Sequence, residues 1–263
     1  MSDSHAFVVA AYGCSPHLEA CLRSLTAQSL RSPIIISTST PHEGLAALSE
    51  RHGATLNVHG DNRGIGADWN AALHATEAPL VTIAHQDDLY APGFTTAVLN
   101  GHRKYPEAAF SFCDADEVFS NGAPRKDPRN LRIKRLLVNA AFAGRPVIES
   151  AWRKRLLLGF GNPILCPTVT INRTVAPDFA FREDLRTNMD WLAWIALANA
   201  RPVLRLKNTL LHRRVHDSSE TASCIADGSR LKEDSMVFRT LWPRPVAATI
   251  LHFYRIGYAT YLQ

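Results

Sequence analysis

Leu80-Val81-Thr82-Ile83-Ala84-His85-Gln86-Asp87-Asp88 joins an apolar run directly to two adjacent carboxylates. A run this short, rich in β-branched residues and closed by turn-forming ones, suits a strand buried on both faces. Ligands of open α/β sheets bind beyond the carboxyl ends of the strands, and carboxylates placed there can hold a hard divalent cation against phosphate oxygens. The competing reading is a solvated turn or a helix cap, both common places for Asp.

The same rhythm repeats upstream. Apolar residues 6–11 lead through turn chemistry at Tyr12-Gly13-Cys14-Ser15-Pro16 to Leu18, Cys21, Leu22 and Leu25 at helical spacing. Strands are predicted again at 33–37 and 55–58, with helices at 43–51, 66–76 and 93–104. Alternation of this kind calls for an α/β fold, a mostly parallel central sheet with helices on both faces. After a strand at 108–113 the rhythm changes. Residues 117–123 read as a hairpin whose Asn121-Gly122 suits a type I′ turn. A basic stretch at 125–159, a strand at 168–172, a helix at 190–200 and a strand-rich segment at 203–215 follow. Two closing helices are expected in 227–263, broken by Pro243 and Pro245.

Composition removes several classes. Hydrophobic residues form 46% and charged residues 20% of the 263, which excludes disordered and fibrous chains. No apolar run approaches the ~20 residues that span a bilayer. The N-terminus carries no basic segment ahead of an apolar one, so a cytoplasmic chain is expected. Five cysteines without a C-x-x-C pair argue for reduced thiols over disulfides or a zinc ribbon. The net charge, 29 − 24 = +5, suits a nucleotide ligand or an anionic membrane surface. The basic stretch matches no nucleic-acid motif, so no nucleic-acid partner is expected.

Three segments in order carry a resemblance: residues 8–29, residues 61–73 (Asp-Asn-Arg-Gly-Ile-Gly-Ala-Asp-Trp-Asn-Ala-Ala-Leu) and residues 78–94 around His85-Gln86-Asp87-Asp88. Together they resemble glycosyltransferase family 2, which has the GT-A fold. The resemblance implies a donor-binding half at 1–113, an acceptor-binding and catalytic half at 114–217 and a helical extension at 218–263. It implies an inverting transfer from a nucleotide-sugar donor, a UDP-sugar first among them, with Mn²⁺ or Mg²⁺. Ala11, Tyr12 and Gly13 resemble the loop that cradles the nucleoside, and Arg63, Gly64, Asp68, Asn70, Gln86 and Asp87 complete the implied donor set. Asp87 and Asp88 correspond to the metal-binding acids, and His216 to a terminal His that approaches the metal. His85 stands where the first acid of D-x-D usually lies. An imidazole can ligate Mn²⁺ but brings no charge and is a poorer Mg²⁺ ligand. Ser37-Thr38-Ser39-Thr40 replaces acidic residues that commonly contact the base.

An inverting transfer needs a base for the acceptor hydroxyl. Asn188-Met189-Asp190-Trp191 fits the family's segment, which makes Asp190 that base; its alternative role is a helix cap. Trp191 is a candidate to stack on an acceptor sugar, with a core stripe through Trp194 as the rival. Asp114, in Asp114-Ala115-Asp116, is a candidate acceptor contact or a turn residue. The implied acceptor is a glycan or a lipid-linked one of bacterial surface polysaccharide synthesis. The basic stretch, apolar-interleaved at 129–158, is either a solvated face or a peripheral contact with the inner face of a membrane. Two other functions compete: a sugar nucleotidyltransferase, for which residues 12–17 lack the Gly-rich cationic loop, and a catalytically silent carbohydrate- or nucleotide-binding subunit. Oligomeric state is not encoded in any motif.

Overall fold

A computed structural model describes residues 4–126, 129–215 and 224–260. Its strands are β1 (His5–Ala10), β2 (Ile34–Thr38), β3 (Thr55–Val58), β4 (Leu80–His85), β5 (Leu89–Tyr90), β6 (Phe110–Phe119), β7 (Val147–Ile148), β8 (Val169–Asn172) and β9 (Val203–Val215). The helices are α1 (Leu18–Thr26), α2 (Leu45–Arg51), α3 (Ile65–His74), α4 (Phe94–Lys104), α5 (Arg129–Phe142), α6 (Ala151–Leu158), α7 (Met189–Ala200), α8 (Ser229–Leu241) and α9 (Arg244–Tyr254).

All nine strands form one mixed sheet in the order β3-β2-β1-β4-β8-β6-β9-β5, with β7 on β9. The β3-β2-β1-β4 part is parallel, as the strand and helix alternation requires. β8 then enters antiparallel between β4 and β6, a reversal that the sequence rhythm did not signal. β6 runs without a break across residues 113 and 114, so both halves of the chain share the sheet. One apolar core lies on each face. The first joins Val8, Val81, Ile83 and Trp69 to α5, α6, α7 and the C-terminal helices; the second joins Phe7, Val9, Leu22 and Phe94 to α1 and α4.

α7 is apolar on nearly every side, with Met189, Trp191, Trp194, Ile195 and Leu197 buried, as a helix inside a core must be. Its N-terminus is capped from another helix. The Glu233 carboxylate of α8 accepts the backbone N–H groups of Arg186, Thr187 and Asn188 at 2.8–3.0 Å, which holds its pKa below the usual carboxylate value. α8 and α9 close over α7, where Phe238 and Tyr254 pack on the Trp191 ring. All five cysteines are free thiols, and only Cys14 is exposed.

The turn at Asn121-Gly122 departs from the expected type I′. Only Gly122 has positive φ (83°), its N–H bonds to Phe119 O, and the Phe119 N–H bonds to Ala123 O. That is a three-residue loop ending in a left-handed glycine, with Asn121 Oδ1 accepting the Ala123 N–H instead of adopting positive φ.

Gly66 at the start of α3 serves packing rather than a phosphate. A Cβ there would lie 2.4 Å from Arg182 O and 2.9 Å from Glu183 Cα, both backbone atoms. Gly66→Ala is expected to cost about 1–3 kcal/mol through overpacking. The measurement is a melting curve, in which a drop of several degrees is expected and an unchanged midpoint would refute the packing role.

Candidate active site

The carboxyl ends of β1, β2, β3 and β4 and the start of α3 meet at one edge. The Gln86 amide pairs with both backbone groups of Tyr12: its Oε1 accepts the Tyr12 N–H and its Nε2 donates to Tyr12 O, each at 3.1 Å. Gly13, at φ 57°, donates its N–H to Thr40 Oγ1 at 2.7 Å. The loop after β1 is thus fixed to β2 and β4, with Ala11 buried and the Tyr12 ring 58% exposed over the edge. Gln86 and Thr40 position that loop.

Four buried polar atoms at this edge have no hydrogen-bond partner: Ser39 Oγ, His59 Nε2, Asp68 Oδ1 and His85 Nε2. They sit on or just beyond β2, β3 and β4 and on α3. His59 donates its backbone N–H to Thr38 O, next to Ser39; its Nε2 lies 3.9 Å from Asp68 Oδ1; and the Trp69 ring rests 5.5 Å from the His85 ring. Buried polar groups are almost always satisfied, so these four atoms are open to a water, an ion or a polar ligand.

Asp87 and Asp88 diverge. Asp87 is half-buried and accepts the Ser15 hydroxyl at 3.0 Å. Asp88 is buried and turned the other way, its Oδ1 accepting the Arg214 backbone N–H at 2.8 Å. The Arg214 guanidinium donates to Asp87 O, Phe119 O and Ser120 O and so clasps the loop to the β6 hairpin. Burial raises the Asp88 pKa to about 7, offset in part by the Arg214 N–H. The metal-ligand expectation for Asp88 is therefore corrected: its carboxylate is a strut between β4 and β9. Burial lowers His85 to about 4, against the pull of Asp87, so its imidazole is neutral at pH 7. His216 lies outside the described residues.

Among the described residues no three His, Cys, Asp or Glu side chains are grouped as a metal site. One carboxylate, Asp87, beside a neutral imidazole whose Nε2 is orphaned, fits an ion completed by substrate phosphates and prefers Mn²⁺ to Mg²⁺ by its nitrogen.

Asp190 is half-buried at the N-terminus of α7. It does not cap the helix. The capping position is Asn188, and Asp190 accepts the N–H of Trp191 at 2.7 Å and the Asn162 amide at 2.9 Å. Burial lifts its pKa to about 6, restrained by Arg230, the Trp191 N–H and Lys134. A carboxylate poised near 6 is an effective base at neutral pH. Burial pushes the Cys166 thiol up, and the charges of Asp190 and Asp88 add to that.

The model of Glycosyl transferase family 2 matches residues 6–147, more than half of the chain. The chain belongs to that family. This glycosyltransferase also resembles solved structures of GT-A fold. S. aureus TarS 1–349 is 12% identical with a TM-score of 0.64, over 94% of this chain and 69% of that one; TarS has also been crystallised with UDP and with UDP-GlcNAc. The mannosyltransferase PcManGT from Pyrobaculum calidifontis, in complex with GDP-Man and Mn²⁺, is 16% identical with a TM-score of 0.65, over 98% and 69%. Glucosyl-3-phosphoglycerate synthase from Mycobacterium tuberculosis, with Mn²⁺, UDP-Glc and phosphoglyceric acid, is 13% identical with a TM-score of 0.51, over 81% and 72%. No curated protein matches the chain.

Several expected contacts in this glycosyltransferase are redirected. Asn70 exchanges hydrogen bonds with the Phe181 backbone, donating to its O and accepting its N–H, so it pins α3 to residues 181–183 instead of facing a donor. Arg63 is exposed, 3.9 Å from Glu183, and Gly64 takes φ 102° to begin α3. Trp191 is fully buried and donates its indole N–H to Leu158 O, so it cannot stack on a sugar. Asp114 is held by both oxygens to the Arg205 guanidinium at 2.9–3.2 Å, beside the register shift of β6 on β9, and Asp116 pairs with Arg135. Asp114 is therefore a brace. Asp114→Ala strands the buried Arg205 charge and is expected to cost about 3–5 kcal/mol of stability. Denaturant titration tests this; lost transfer with unchanged stability would restore the acceptor role.

Ser15, His59, Asn162 and Arg230 were not legible as site residues, whereas Ser39 lies in the 37–40 segment already singled out. Those four carry no motif, and only folding brings them to Asp87, the orphaned atoms and Asp190.

Proposed function

We propose that the chain transfers a sugar, with inversion, from a nucleotide-diphosphate sugar to an acceptor hydroxyl. The observation that carries this is the set of orphaned polar atoms at the carboxyl edge of the parallel strands, where Asp87 accepts the Ser15 hydroxyl. In this reading residues 1–113 hold the donor, 114–217 the acceptor, and 218–263 are a helical extension whose α8 and α9 cover α7.

Tyr12 covers the nucleoside, and Ser39, His59 and Asp68 offer hydrogen bonds to its base and ribose. Asp87, oriented by Ser15, and His85 are the residues that would hold a divalent cation beside the diphosphate. Such an ion would supply positive charge against the negative charge that grows on the leaving nucleoside diphosphate. Arg213, whose charge acts on both His85 and Asp88, adds positive potential at the same place. Asp190 takes the acceptor hydroxyl proton as the oxygen attacks the anomeric carbon from the face opposite the leaving group, which inverts the centre. The Asn162 amide and the Trp191 N–H hold that carboxylate in one orientation.

The solved relatives named with UDP-GlcNAc, GDP-Man and UDP-Glc support a UDP- or GDP-sugar donor. Synthesis of surface polysaccharide or lipid-linked glycan at the inner face of a membrane is the setting we propose. The test is product analysis with each nucleotide sugar. Release of nucleoside diphosphate with an inverted glycoside supports the reading, pyrophosphate release supports a nucleotidyltransferase, and binding without turnover supports a silent subunit.

A further inference from the structure

The end of α7 that carries Asp190 is held by two consecutive carboxylates of α8, a helix beyond the residues that match the family model. Glu233 accepts the backbone N–H groups of residues 186–188 and the Thr187 hydroxyl. Asp234, with no solvent exposure, accepts the side-chain amide of Asn188, at the capping position of α7, at 2.7 Å. The same carboxylate holds the Arg230 guanidinium at 3.2 Å, one turn back on α8, and accepts the Tyr258 hydroxyl. One buried carboxylate thus ties a cation of α8 to the residue two places before Asp190.

A buried ion pair stabilises a fold little more than apolar packing of the same volume, so this one asks for another role. Its surroundings supply one. Arg230 and Asn162 line the same cavity between α5, the 160–163 turn and the C-terminal residues, and the Asn162 amide donates to Asp190 Oδ2 at 2.9 Å. Arg230 is the first of the charges that act against the burial of Asp190, ahead of Lys134 on α5; the remaining neighbours are the Trp191 N–H, Asn162 and the buried, uncharged Cys166 thiol. Burial works against the Arg230 charge itself, but Asp234, Tyr254 and Asp190 outweigh it, so the guanidinium stays protonated. A fixed cation near a buried carboxylate favours its ionised form, the form in which it accepts a proton.

We propose that Arg230, fixed by Asp234, is a positioning residue for the transfer: it supplies the positive charge that Asp190 faces, while Asn188 and Asn162 hold the helix end and the carboxylate in place. It touches no substrate in this role. The proposal rests on the reading of Asp190 as the base.

Carboxyl-carbon NMR titration of the full chain labelled with ¹³C-aspartate tests it without donor or acceptor. The Asp190 signal is the one missing in Asp190→Asn, and in the wild-type chain it is expected to titrate at about 6. Arg230→Gln is expected to move that midpoint up by about one pH unit, the effect of removing an opposite charge nearby, and Arg230→Lys to leave it near the wild-type value. Arg230→Gln/Asp234→Asn removes both charges of the pair and strands neither in the core, so it keeps the test open where the single variant does not fold; an upward shift is expected there too. A pair with a structural role alone would lower the melting temperature and leave the midpoint where it is. An unmoved midpoint in the variants without the cation, or one moved as far by Arg230→Lys, would overturn the proposal. Release of nucleoside diphosphate from UDP-glucose and GDP-mannose is followed in wild type and Asp190→Asn. Release that the variant retains in full, or no release from either donor, sinks the base reading and the proposal with it; an unmoved midpoint beside release that depends on Asp190 sinks the role of Arg230 alone.

Discussion

Asp190→Asn is expected to lower kcat by about 10²–10⁴ while the donor KM changes little, because the substitution removes proton acceptance and leaves the donor edge untouched. The wild-type rate should rise with pH through about 6 as Asp190 ionises, and the variant should lose that limb. Stability moves the opposite way. Burial raises the Asp190 pKa to about 6 from an unfolded value near 3.8, so the folded state binds more protons between these values and stability falls as pH climbs through the window. Asparagine removes that ionisation, so the variant should melt higher than wild type above pH 6 and equal to it below pH 4. A variant that is slower and also less stable at pH 8 would place Asp190 among the structural residues.

Asp87→Ala should abolish metal-dependent donor binding. Asp88 is turned into the protein and His85 brings no charge, so the proposed ion site draws its carboxylate from Asp87. On the proposed reading, a single carboxylate and an imidazole would hold a hard cation weakly until phosphate oxygens join. Mn²⁺ alone should therefore leave the melting temperature unchanged, and Mn²⁺ with nucleoside diphosphate should raise it. His85→Asp should shift the preference from Mn²⁺ towards Mg²⁺ by replacing nitrogen with charged oxygen. Stabilisation by Mn²⁺ alone, or retained in Asp87→Ala, would contradict this arrangement.

The parallel part of the sheet was legible because each strand is a short apolar run followed by a helix of matching period. The β8 reversal was not, since an antiparallel insertion leaves no trace in residues 168–172 themselves. For the site, the order of motifs pointed to the loop after β1, to Asp87 and to Asp190. Motifs do not report orientation. Asp87 and Asp88 are adjacent in sequence and part company because β5 pairs with β9 one residue later and draws the Asp88 carboxylate to Arg214. Asn70, Trp191 and Asp114 look functional by chemistry, yet each is taken by a long-range partner: Phe181, Leu158 and Arg205. His59, just after β3, and Asp68, on α3, are nine residues apart and become a pair only when α3 packs back on the sheet.

The most direct measurement is the melting temperature of the chain with UDP-, GDP-, CMP- and dTDP-sugars, each with Mn²⁺, Mg²⁺ or EDTA. A ligand at ~100 times its Kd stabilises by roughly 2.7 kcal/mol, a shift of several degrees for a chain of this size. The expected result is a shift with one nucleotide class, present with Mn²⁺, absent in EDTA and absent in Asp87→Ala. No shift with any donor, or one indifferent to EDTA and to Asp87, would contradict a metal-assisted nucleotide-sugar site at the carboxyl edge of β4.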